Sequence, residues 1–523
     1  MAISASPTTQ PEVTDSYARL EEKVLERDQR GASQIFYDLV RAGRPLPELV
    51  REIVRIHAPY THVPYHQRLD DGVVRFVNND HCFLSSRAST DLMKLLRPEL
   101  AYLPLAQTIW YVPTGLDPWN QLLGKMPGHY VRLYELKFEG KPPLPHIHWS
   151  DQQPLAIEGT FPEKLNAWLT LVQRGEVINA YRVFLGLWHE VVGDEARRTQ
   201  LLAHLVFAGL IDVQDRVLHN RSYTTGHKSY RARATVQLAR MVGWEHAGSV
   251  LYAGVPDMAV GPRWHSTYEM ACLVVQNILG GKDQDFLGND GALSPVESLA
   301  LLEALLSGEE PGYIDLIVAL LRSGKGLRQI IDTIQLGSAQ LILETGDPNS
   351  YSMPQHSYEY CNNVRWFFDS FEHPHRLKLL FVAAAFVNRS AHHQMHTPDN
   401  GPIKIESPRG AETMSSHELL QRLDDALMGL RAFEAVNWTA AYLQAGHDRA
   451  ALVETLATGA AKTGNDPHNQ ELGICLLEDY AHSTARDRDR LLLACAKHTA
   501  GHRKYGDHLE AYRRFSEAFA VRA

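Results

Sequence analysis

From Pro162 almost to its end, this chain repeats one pattern: apolar residues spaced three and four apart, in stretches that glycine closes. Such stripes run through Leu165 to Val172, Leu201 to Leu210, Val296 to Leu306, Ile330 to Leu343, Leu377 to Phe386 and Leu472 to Tyr480. The period is that of a helix with one buried face, and Gly209, Gly243, Gly280, Gly308, Gly324 and Gly446 stand where a left-handed cap ends one. Short connections make sequential helices antiparallel neighbours. No exact repeat length is visible, which argues against a strict solenoid. The expected fold is mostly α, an irregular array or toroid of antiparallel helical hairpins.

The first third departs from this texture. Residues 1 to about 15 read as disordered, followed by a charged amphipathic helix over Asp15 to Ala42 and a second helix over Pro45 to Arg55. Between His57 and Glu158 the chain is rich in proline, aromatic and β-branched residues. Gly72 to Val77 and His129 to Phe138 alternate as short strands do. The chain therefore divides into a tail with helices (1–56), a Pro/aromatic-rich α+β or loop cap (57–160) and a helical array (161–387). A long loop (388–416), broken by Pro398, Gly401, Pro402 and Pro408, leads to a C-terminal helical bundle (417–523).

Composition narrows the function. Hydrophobic residues make up 44%, enough for a large core, and no apolar run approaches the length of a membrane span. A net charge of -9 supplies no general attraction to nucleic acid or anionic membrane. The amino terminus has the pattern of neither a secretory signal nor a transit peptide. Five cysteines without a C-x-x-C fit reduced thiols in the cytoplasm. The 26 histidines are the oddity.

Three of them open echoing stretches: His227-Lys228-Ser229-Tyr230, His265-Ser266-Thr267-Tyr268-Glu269 and His356-Ser357-Tyr358-Glu359. Gly226, Gly261-Pro262 and Pro354 precede them, which puts each histidine in the first turn of a helix. The dipole there disfavours a protonated ring and leaves a nitrogen lone pair available. Helices beginning near His227, Glu245, His265, Ser294, Pro311, Gly326 and His356 make these three the first, third and seventh. In an antiparallel array those three begin at one rim, so His227, His265 and His356 are candidate metal ligands. Glu269 and Glu359, four and three residues after their histidines, share a helix face with them as carboxylate ligands or a general base. Tyr230, Tyr268 and Tyr358 are supporting donors. Paired His and Glu from two helices resemble the plan of a carboxylate-bridged metal pair, although that plan has the acid first. The plainer alternative makes these residues caps and packing groups.

His392 and His396, one turn apart at the end of the following helix, are further ligand candidates at the same rim. His146-Ile147-His148 alternates but lies in a Pro-rich stretch. His189 and His204 read as structural, and Gly501 interrupts the spacing of His498 and His502. No G-x-S-x-G, Walker, dinucleotide-binding or H-E-x-x-H pattern occurs.

The stretch GHKSYRARATVQLARMVGWEHAGSVLYAG ending at Gly254, with HSYEYCNNVRWFF and LLFVAAAFVN, resembles the helical regions of uncharacterised bacterial proteins, some fused to Rieske domains. More distantly it resembles the questin oxidase-like family, whose members oxygenate aromatic polyketides. That resemblance implies oxidative chemistry; the cysteine and histidine pairs of a Rieske cluster are absent from this chain. The expected function is a metal-dependent oxygenase or other oxidoreductase acting on an apolar or aromatic small molecule. Iron is the favoured metal, with zinc, copper and manganese open. A metal-dependent hydrolase and a non-enzymatic helical scaffold are the alternatives. The oligomeric state is open, a homodimer included, and neither nucleic acid nor membrane is an expected partner.

Overall fold

The computed structural model describes residues 10–60, 62–65, 75–78, 81–115, 121–123, 130–132, 152–213, 226–259, 265–348, 350–397, 399–504 and 506–521. Helices dominate it, twenty-two of them among the described residues. The fold is mostly α. The strands are short: His62–Tyr65 pairs antiparallel with Arg75–Asn78, and Gln121–Leu123 with Tyr130–Arg132. No helix among the described residues is long and apolar enough to cross a membrane.

Several expected boundaries shift, each for a local reason. Helix begins already at Gln10, inside the stretch expected to be disordered. The single helix expected to end at Ala42 is two, Gln10–Leu25 and Gln29–Arg41, because Arg27 takes a positive φ of 61° and Asp28 caps the second through its side chain. The expected second helix lies at Leu46–His57. The expected loop from 388 starts instead as helix, since Arg376–Met395 runs on past Asn388. The cap contains two buried helices, His81–Leu92 and Leu103–Gly115. Their hydroxyls pair inside the protein, Ser85 with Thr108 at 2.8 Å and Ser89 with Thr108 at 2.5 Å. A hydroxyl satisfied in this way can be buried without the cost of an orphaned polar group. One core cluster extends from Tyr17 to Phe515 and takes in side chains of this segment, including Phe83 and Ile109.

Four helices matter most for chemistry: His81–Leu92, His227–Val242, Ser352–Ser370 and Pro467–His482. Each packs on two of the others. The first lies against the second and fourth, and the third closes the ring by touching the second and fourth. All four are buried around most of their circumference, so they carry polar and charged residues inward. Arg231, Arg233 and Arg365 are fully buried. Carboxylates compensate them: Asp257 for Arg231, and on Pro467–His482 Glu478 for Arg233 and Glu478 with Asp479 for Arg365.

Candidate metal centre

A histidine near the amino-terminal end of each of these four helices points into the ring they form. His81 and His227 are the first residues of theirs, His468 is the second of its own, and His356 lies one turn into Ser352–Ser370. Ligand atoms of His81, His227 and His468 all lie within 4.8 Å of one another. His356 joins them with its Nε2 3.1 Å from Nε2 of His227. Two nitrogens bound to one transition metal at about 2.1 Å are separated by roughly 3.0–3.4 Å, so this pair already stands at ligand spacing. Ring centroids lie 4.4 Å apart for His81 and His468, 4.7 Å for His227 and His356, and 5.6 Å for His356 and His468.

The surrounding hydrogen bonds orient the rings. The backbone carbonyl of Ser352 accepts from Nδ1 of His356 at 2.5 Å, which leaves the Nε2 lone pair directed at His227. Asp466 accepts from Nδ1 of His468 at 2.8 Å and fixes that ring in the same tautomer. Tyr230 donates its hydroxyl to the carbonyl of His356 at 2.5 Å, and its ring lies parallel to the imidazole. Burial, reinforced by the other imidazoles, holds His227 and His356 well below the usual imidazole range. Both therefore offer lone pairs at neutral pH. For His81 burial acts in the same direction but is outweighed by the charge of Glu471, whose carboxylate lies 3.6 Å from Nδ1, and the net shift is upward. His81, His356 and His468 are buried, while His227 keeps partial exposure.

Two carboxylates complete the cluster. Glu359 follows His356 by three residues, and Glu471 follows His468 by three. That spacing puts acid and imidazole on one helix face. Both line a small internal cavity with Arg87, Tyr230, Asn363, Leu84 and Cys475. Burial, then the charge of Glu471, raises the Glu359 carboxyl well above its ordinary range. A second group, Asp466, His468 and His502, shares His468 with the first. The imidazoles of His502 and His468 hold the Asp466 carboxyl far below the carboxylate range, against the opposing effect of burial.

Of the residues singled out in the sequence, the structure brings together His227, His356, Glu359 and Tyr230. The others lie elsewhere. His265 caps Ser266–Leu273, a helix that packs chiefly on Arg376–Met395, outside the ring of four. Glu269 on that helix is exposed, and Tyr268 packs edge-on against Phe207. His265 misses the rim shared by His227 and His356 because the intervening helix Gly248–Gly254 is only 7 residues long and runs on into a 3-10 turn, Pro256–Ala259. Tyr358 points away from the cluster and donates to Asp479 at 2.9 Å. His392 lies 3.0 Å from the carbonyl of Gly308, where it satisfies a helix end, and His396 is an exposed cap. His146 and His148 lie outside the described residues. His498 and His502, set aside because of Gly501, are buried beside the cluster, since the helix Asp489–Gly501 runs to its glycine and His502 is its cap.

His81 and His468 lacked the Ser/Thr-Tyr echo and so went unnoticed. Asp80 stands before His81, and Asp466-Pro467 before His468. The preceding Pro467 marks His468 as His227 is marked by Gly226, and an aspartate cap before the first helical residue is the signal at His81.

No protein-family model, curated protein or solved structure matches the chain.

Proposed function

We propose that this chain is a metal-dependent enzyme, an oxidoreductase of the oxygenase type acting on an apolar or aromatic small molecule. The observation that carries the metal reading is the meeting of imidazoles from four helices: ligand atoms of His81, His227 and His468 lie within 4.8 Å of one another, and Nε2 of His356 lies 3.1 Å from that of His227. His81, His227, His356 and His468 would hold the ion, with Glu471 and Glu359 beside it. Histidine with carboxylate suits iron first, and also zinc, copper or manganese. Bound iron would supply electron transfer and reaction with dioxygen. The chain's own part is to keep His227 and His356 neutral by burial, to fix the tautomers of His356 and His468 through Ser352 and Asp466, and to limit water around the ion.

The oxygenase assignment rests on the resemblance to questin oxidase-like proteins. Metal-assisted hydrolysis is the second reading, favoured by the carboxylates Glu359 and Glu471 next to the imidazoles. The five cysteines, all free, support a reducing cytoplasmic setting.

Oxygen uptake by the iron-loaded full chain, measured over a panel of hydroxylated aromatic compounds, separates the readings. Substrate-dependent uptake that His356→Ala abolishes supports the oxygenase. Ester or amide cleavage without uptake moves the assignment to a hydrolase. Absence of both activities in metal-loaded protein contradicts the enzyme reading.

A further inference from the structure

The acid and imidazole pairs in the ring of helices are duplicated. His356-x-x-Glu359 and His468-x-x-Glu471 lie on two helices that pack against each other, Ser352–Ser370 and Pro467–His482. The two remaining helices each add one histidine, His81 and His227. Four helices thus deliver four imidazoles and two carboxylates to one interior. Helical bundles assemble dinuclear metal centres from the same number of inward side chains, with Glu three residues before His on two of the helices; here the order is reversed and imidazoles outnumber carboxylates.

The carboxylates are placed unlike ordinary buried acids. Glu359 is 2% exposed; the Tyr230 hydroxyl beside it already donates to the carbonyl of His356, which leaves both Glu359 oxygens without a donor, and Oε1 of Glu471 has none either. Both side chains line the cavity, which has room for a water-sized occupant. Arg87, the cation on its wall, directs Nε to Gln237 at 2.8 Å and lies 3.3 Å from Asp91, and with His81 it offsets only part of the cost of burying Glu359. Two buried carboxylates facing one small space repel each other, and an unpaired buried charge is costly. The imidazoles alone bring no negative charge to a cation that sits among helix amino-terminal ends, where the dipoles are positive. The acids supply it.

We propose that the centre holds two divalent transition-metal ions, one among the imidazoles of His81, His227 and His468 with His356 next to His227, and a second in the cavity between Glu359 and Glu471. This rests on the metal reading given above and extends it. Paired ions in such sites stand about 3.5–4 Å apart, close enough for their spins to couple.

The test is Mn2+ binding to the full chain after chelator treatment, followed by electron paramagnetic resonance of the loaded protein. The expected result is two Mn2+ per chain with a spin-coupled spectrum, falling to one uncoupled Mn2+ in Glu359→Gln. The amide keeps the volume of the acid, and circular dichroism checks that the variant folds. One Mn2+ per chain in the unaltered protein overturns the two-ion inference and leaves the imidazole site standing. Two coupled ions retained in Glu359→Gln overturn the assigned position. No bound Mn2+ in the unaltered protein removes the metal reading itself.

Discussion

One carboxylate oxygen of Asp466 does two things for His468: it accepts the backbone N–H of that residue at 3.0 Å, capping its helix, and the ring Nδ1 at 2.8 Å. The cap fixes where the helix begins, and the ring bond fixes where its first inward side chain points. Substitution can separate the two roles. Asparagine caps as well as aspartate, but its neutral oxygen is a weaker acceptor for the ring Nδ1 and does not raise the ring's basicity as the carboxylate does. Asp466→Asn should therefore keep the melting temperature within a few degrees while weakening metal affinity about 10–100-fold. Asp466→Ala should lose the same affinity and about 1 kcal/mol of stability as well. Calorimetric metal titration beside thermal unfolding reads both. Equal affinity in Asp466→Asn and the parent would show that the ring needs no such support.

Gly226 ties backbone conformation to the same site. It precedes His227 with φ of 84°, and a Cβ there would stand 2.7 Å from the Tyr230 hydroxyl. Gly226→Ala should cost about 1–2 kcal/mol for the left-handed backbone and displace the hydroxyl from the carbonyl of His356. Tyr230→Phe removes that hydrogen bond without the strain. If the bond positions His356, both variants should weaken metal binding, and only Gly226→Ala should lower the unfolding temperature by several degrees.

The apolar stripes made the helical class legible, because a half-buried helix must show its period in sequence. The site helices were harder to read because they are buried nearly all round. In His227–Val242, Lys228, Arg231 and Arg233 look like a solvated face. Each is interior and meets an acid remote in sequence: Asp212, Asp257 and Glu478 respectively. No local pattern announces such a partner. Half of the imidazole cluster was legible for a related reason. His227 and His356 stood in recognisable helix starts, whereas His81 lay in a segment read as strand and loop. His265 shared the local signature of His227, but the direction of its helix depends on a short element that does not reverse the chain cleanly. Local sequence specifies a helix start well and the packing partner of that helix poorly.

The same buried charges predict acid sensitivity. Arg365 reaches Asp479 at 2.6 Å and Glu478 at 3.2 Å, and Arg233 reaches Glu478 at 2.8 Å. Burial opposes ionisation of Glu478, but the two guanidinium groups outweigh it and hold its carboxyl well below the ordinary range. A carboxyl depressed in the folded state stabilises above its unfolded value, about 4.3, and loses that contribution as pH falls towards its folded value. Unfolding free energy should therefore drop below about pH 5, and Glu478→Gln should flatten that drop while lowering stability at neutral pH. Arg365→Met should cost about 3–5 kcal/mol by leaving Asp479 buried without its partner. Urea unfolding between acid and neutral pH measures both effects. An unchanged acid slope in Glu478→Gln would assign the sensitivity to other groups.

Elemental analysis of the full chain, purified without a histidine tag from metal-supplemented cells, tests the imidazole cluster most directly. At least one transition-metal ion per chain is expected in the parent and in His265→Ala, whose ring stands apart, with loss of the ion in the double variant His227→Ala, His356→Ala. Metal-free parent protein, or a double variant that keeps its full metal content, would contradict the account.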